Sequence, residues 1–238
     1  INNKDNDTKP RYIIGSVGPY GASLADGSEY TGKYLPYVDE KLLAEFHYGR
    51  LKHLLLSDDI DMIGFETFPN FIEIKAVLNQ FKKIIEENEL TNKSCYMSLS
   101  INDDINLVDG TLLSDIIKFL VDWKRENCTE NIKLSCVGSN CCKLSESSKI
   151  VEKISGLLSI QNTDDLKIVM YPNSGEVYDG ITKEWHGASD KKDGSHDLSL
   201  VENVDLWLNT NKVGILGGCC RTGPCDILEI NKVLNGKY

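Results

Sequence analysis

The feature that most limits what this chain can fold into is a unit repeated about six times: a short apolar, β-rich run, then an amphipathic stretch with helical spacing. The runs begin near residues 12, 61, 95, 133, 167 and 213, so 34 to 49 residues separate them. That is the scale of a βαβ unit, whose strands pair in parallel and are covered by helices. The first helix, near 39–57, turns Leu42, Leu43, Phe46, Leu51, Leu54 and Leu55 inward. The second opens at Asn70, with Glu73 placed to complete a capping box, and buries Ile74, Val77, Leu78, Phe81, Ile84 and Ile85. Thr111 is placed to cap a third helix, others follow near 145–159 and 197–210, and Pro224 suits the first turn of a last one. No linker or shift in composition marks a second domain, so residues 1–238 read as one α/β domain with a polar linker or disordered lead over 1–10. Spacing alone leaves two architectures open: an open sheet of six strands, or a piece of an eight-stranded barrel.

Charge and cysteine usage narrow the setting. A net charge of −10, with the lysines scattered, argues against a nucleic-acid or anionic-membrane partner. No apolar run approaches the ~20 residues that span a bilayer. The eight cysteines sit inside or at the ends of apolar runs, in a chain too large to need disulfide staples. Thiols used for metal binding in a reducing, cytoplasmic setting are the expectation.

Two of those cysteines carry the chemistry. Gly217-Gly218-Cys219-Cys220-Arg221-Thr222 follows the apolar run Val213–Leu216. Neighbouring side chains on a strand point to opposite faces, so two adjacent cysteines reach one metal only where the strand has ended and the backbone turns. The paired glycines are expected to allow that turn through positive φ. A disulfide between adjacent residues rarely meets the geometric requirements. A third ligand is then sought at another strand end, and Gly138-Ser139-Asn140-Cys141-Cys142 is the best candidate, with the doublet leaving Cys141 or Cys142 open. Three thiolates with one vacant position describe a reactive zinc site, not a closed structural one. Cys95, Cys128, Cys136 and Cys225 read as small hydrophobes or incidental thiols, and His47 and His53 as non-ligands.

The unusual residues gather just after the strands, where parallel α/β folds place their sites. Gly-Ser-Val-Gly-Pro-Tyr at 15–20, Glu-Tyr-Thr-Gly at 29–32 and Ile-Gly-Phe-Glu-Thr-Phe-Pro-Asn at 63–70 resemble the homocysteine S-methyltransferases. So do Gly-Ser-Asn-Cys at 138–141, Tyr-Pro-Asn-Ser-Gly-Glu at 171–176 and Gly-Gly-Cys-Cys-Arg-Thr at 217–222. The branch resembled is the one that uses S-methylmethionine or S-adenosylmethionine.

The resemblance implies a (β/α)8 TIM barrel of which about six βα units are present, the family's opening strands being absent before residue 11. The natural start is accordingly expected upstream of Ile1. It implies Zn2+ held by Cys141, Cys219 and Cys220, with homocysteine and a sulfonium methyl donor as the small-molecule partners and methionine as product. Glu66 matches the family's acidic residue that receives the homocysteine ammonium group, with Thr67 beside it. Asn173 and Ser174 read either as turn builders or as substrate contacts. Tyr20, Tyr171 and Trp185 are candidates for an aromatic surface that meets the sulfonium by cation–π contact.

Overall fold

The computed structural model describes residues 10–174, 176–179, 184–186 and 198–236. The expected lead over 1–9 and the side chain of Trp185 lie outside the described residues. Six strands, β1 (Ile14–Val17), β2 (Met62–Phe68), β3 (Lys93–Leu99), β4 (Ile132–Asn140), β5 (Lys167–Tyr171) and β8 (Val213–Leu216), form one parallel sheet in that order. Each expected apolar run is one of its strands. A doubly wound sheet reverses its strand order at a switch point, and this sheet does not. Between β5 and β8, β6 (Val177–Asp179) and β7 (Glu184–His186) pair antiparallel.

Helices α2 (Glu40–Leu55), α3 (Phe71–Glu87), α4 (Leu113–Asn127), α5 (Leu144–Ile160), α6 (Leu200–Leu208) and α7 (Pro224–Leu234) connect or follow the strands. Their buried stripes and one face of the sheet make the main core, from Leu51 and Leu55 through Phe65, Phe81, Met97, Ile116, Val151 and Ile168 to Trp207. The alternate strand positions form a much smaller cluster of Tyr96, Cys136 and Val169. Gly138 keeps β4 and β5 together, because a Cβ there would overlap the Val169 carbonyl.

Two helix starts differ from the sequence expectation. Thr111 does not cap α4, whose N-cap position is Leu112 with no side-chain bond. Asn70 does cap α3, its Oδ1 accepting from the backbone N–H of Ile72 and Glu73. Glu73, however, does not close the box. Its carboxylate is buried and faces α2 and the loop after β1, where α1 (Tyr20–Leu24) starts. Oε1 meets His47 Nε2 at 2.7 Å and accepts from the Tyr20 N–H at 2.5 Å, and Oε2 accepts from the Tyr34 hydroxyl. A local rule gives way to long-range partners because a buried carboxylate must satisfy its lone pairs wherever donors exist.

This network ties the β1 loop to α2 and α3. Replacing Glu73 with Ala orphans donors on His47, Tyr34 and Tyr20 together. We expect Glu73→Ala to lower the unfolding free energy by about 3–5 kcal/mol in urea denaturation. Breaking the exposed Lys41–Glu45 pair with Lys41→Ala is expected to cost under ~0.5 kcal/mol in the same assay.

Candidate metal centre

The site lies where β2, β4, β5 and β8 end. β4 stops at Asn140, and Cys141 takes a left-handed φ of 56°, an uncommon conformation for a non-glycine residue. The turn swings its thiol away from β4, while Cys142 continues into the core, its sulfur 3.9 Å from Met170 Sδ. The choice within the doublet therefore falls on Cys141 as the residue facing the site.

At β8 the glycines act differently from expectation. Neither Gly217 nor Gly218 has a positive φ; the left-handed residue there is Arg221, at 65°. What Gly218 provides is room, since a Cβ would collide with the Thr222 side chain that folds back to donate to the Cys219 carbonyl at 2.8 Å.

Three sulfurs converge. Cys141 Sγ lies 3.3 Å from Cys219 Sγ and 3.4 Å from Cys220 Sγ, and all three fall within 4.8 Å of one another. Sulfurs on a tetrahedral zinc, at Zn–S of about 2.3 Å, stand about 3.8 Å apart, so the two shorter separations fall about half an ångström inside that spacing. The thiols are free and their separations far exceed the ~2.05 Å of a disulfide. Cys219 is pulled down to about 6, first by its hydrogen bond with the Cys141 thiol and also by the Asn140 amide. Cys141 is pushed up by its hydrogen bond with Cys219 and by partial burial, and burial pushes Cys220 up. Three thiols gathered this closely are a donor set that can exchange protons for a cation.

The loops are held by amides. Asn173 Nδ2 donates to the Cys141 carbonyl at 3.2 Å, and its Oδ1 accepts from the Cys220 N–H at 3.1 Å. The Ser174 N–H donates to the Cys220 carbonyl at 3.0 Å. Both residues thus brace the cysteine loops against each other.

Asn140, to which the sequence reading gave no role, is the hub. Oδ1 accepts from the Thr67 N–H at 2.8 Å and from Ser98 Oγ at 2.7 Å. Nδ2 donates to Thr67 Oγ1 at 2.7 Å and lies 3.9 Å from Cys219 Sγ. Its place beside Cys141 in the Gly-Ser-Asn-Cys stretch was the available signal.

Thr67 has φ of 62°, and the β2–β3 register shifts between Phe65 and Phe68. This bulge buries Phe65 and Phe68 together in the core and turns Glu66 and Thr67 to the site. Glu66 accepts from Tyr96 Oη at 2.8 Å and Tyr171 Oη at 2.9 Å on Oε1, and from Ser16 Oγ on Oε2. Burial, with Glu66 facing them, pushes both phenols above the usual tyrosine range, so both stay protonated donors. The Tyr20 ring packs edge-on to Tyr34 and Phe46. Cys95 and Cys136 are buried, Cys128 is half-buried, Cys225 is exposed, and His47 is taken up by Glu73.

Comparison with known proteins settles the lineage. The family described as homocysteine S-methyltransferase matches residues 2–234. The chain belongs to the homocysteine S-methyltransferase family. It is 36% identical to homocysteine S-methyltransferase 1 of Saccharomyces cerevisiae, over 96% of this chain and 63% of that protein. It is 34% identical to the selenocysteine methyltransferase of Astragalus bisulcatus, over 95% of this chain and 60% of that one. A metallated crystal structure of the homocysteine methyltransferase MmuM from Escherichia coli superposes with a TM-score of 0.67 at 29% identity, over 92% of this chain and 60% of that one. The chain thus spans about 60% of the length of these relatives. Among the described residues no helix is long and apolar enough to cross a membrane.

The amide of Asn140 orients Cys219 and anchors the β2 bulge, so its removal is expected to loosen the sulfur cluster without deleting a sulfur. Asn140→Ala should weaken zinc binding about 10–100-fold, measured by competition with a chromophoric chelator.

Proposed function

We propose that this chain carries the thiol-activating site of a zinc-dependent homocysteine S-methyltransferase, which moves a methyl group from S-methylmethionine or S-adenosylmethionine to homocysteine to give methionine. The observation that carries the reading is the convergence of Cys141, Cys219 and Cys220 from two loops. Relatives named for homocysteine and for selenocysteine share a soft chalcogen acceptor, and a thiolate-rich metal site suits such ligands. Zinc bound by these thiolates would supply deprotonation of a thiol at neutral pH, where a free thiol of pKa about 8.5 is mostly protonated.

The chain's own residues do the rest. Asn140 and Asn173 hold the two cysteine loops in register. Glu66 presents a carboxylate to the acceptor's ammonium group, and the β2 bulge sets that carboxylate beside Thr67 and the Asn140 hub. The donor sulfonium loses its positive charge as the methyl leaves, so the step asks for no general acid. A site that excludes water favours this loss of charge.

A metal-binding fragment without catalysis is the second reading. It is favoured by the free outer edges of β1 and β8, which have no strand partner among the described residues. One experiment separates the two. The chain is loaded with zinc, its metal content measured, and methionine formation followed with homocysteine and each sulfonium donor. The methyltransferase reading expects about one zinc per chain and transfer abolished by a chelator or by Cys219→Ser. Full zinc occupancy with no methionine would leave the second reading standing.

A further inference from the structure

Glu66 is held in an unusual way for a carboxylate at the mouth of a site. A carboxylate offers about four lone-pair positions. Tyr96 and Tyr171 occupy both on Oε1, at 2.8 and 2.9 Å, and Ser16 occupies one on Oε2. These donors come from β3, β5 and β1, so three strands converge on a residue of β2. The arrangement is built into the sheet. Gly64 is the cross-strand partner of Tyr96, and a Cβ at Gly64 would lie 2.5 Å from the Tyr96 oxygen. The two phenol rings pack edge-on, centroids 6.3 Å apart, with their oxygens 3.3 Å from each other.

All three observed donors are neutral. An Arg or Lys in their place would hold the carboxylate as firmly while cancelling its charge. Hydroxyls fix the group and leave its negative charge available to a cation. Pre-set geometry also spares a ligand the entropy of ordering the side chain. We propose that Tyr96 and Tyr171 are positioning residues that make this site selective for thiols bearing an α-ammonium group, by filling Oε1 of Glu66 and leaving, among the described residues, a single open acceptor on Oε2. This rests on the reading above in which Glu66 receives the acceptor's amino group.

The test compares two thiols on the zinc-loaded full chain by titration calorimetry: L-homocysteine and γ-mercaptobutyrate, which has the same thiol and carboxylate without the amine. The wild type is expected to prefer homocysteine. Tyr96→Phe and Tyr171→Phe keep the rings and remove only the hydroxyls. Each should weaken homocysteine binding about tenfold and leave γ-mercaptobutyrate binding and zinc content unchanged. Gly64→Ala, which crowds the Tyr96 hydroxyl without deleting it, should reproduce Tyr96→Phe. A merely structural role for the phenols would lower both affinities together, and that result would overturn the proposal. Phe variants that retain the wild-type preference while Glu66→Gln loses it would overturn the positioning role and keep the Glu66 reading. A preference that survives Glu66→Gln, or is missing in the wild type, would remove the Glu66 reading and this inference with it.

Discussion

Three thiols within 4.8 Å of one another do not assemble two loops that stand 79 residues apart in the chain. The loops are placed by bonds that involve no sulfur. The Cys141 N–H reaches the Tyr171 carbonyl, the Cys219 N–H the Pro172 carbonyl, and Asn173 grips both loops. The segment just after β5 is thus the splint between β4 and β8. Because the sheet runs in sequential order, those three strand ends are neighbours, and the splint needs to cross only one strand spacing on either side. Preassembly of this kind lets a cation bind without first ordering the backbone.

The second half of the site depends on a distortion. Regular alternation along β2 would bury Ile63, Phe65 and Thr67 on one face, and leave Phe68 outside. The bulge instead buries Phe68 and frees Thr67, at the expense of a positive φ on a β-branched residue. Such strain persists only where the surroundings over-determine it. Here Asn140 takes both the N–H and the hydroxyl of Thr67, so one amide stabilises the distortion and also approaches Cys219. The carboxylate of Glu66 and the sulfurs are thereby coupled through a single side chain.

Much of this could be read from residues alone, and the failures have a common cause. The number and places of the six parallel strands followed from apolar runs and their spacing, which left their architecture open, and the cysteine doublet at the end of Val213–Leu216 pointed to a turn with two thiols. Local patterns misled where a distant partner was stronger. Glu73 obeys the spacing of a capping box, yet its lone pairs are taken by His47, Tyr34 and Tyr20. Gly218 looked like a source of positive φ, whereas the Thr222 side chain requires the missing Cβ. The β2 bulge leaves no mark in the sequence, because Phe65 and Phe68 reveal their shared face only once the core exists. Asn140 was in view beside Cys141, but its three partner residues come from β2, β3 and the β8 loop, which no spacing rule connects.

The central claim is that three cysteines, with no fourth protein ligand among the described residues, converge on one cation. X-ray absorption at the zinc edge of the loaded chain measures this directly. The account predicts three sulfur neighbours at about 2.3 Å and one oxygen or nitrogen. Two sulfurs or fewer, or a closed shell of four, would contradict it.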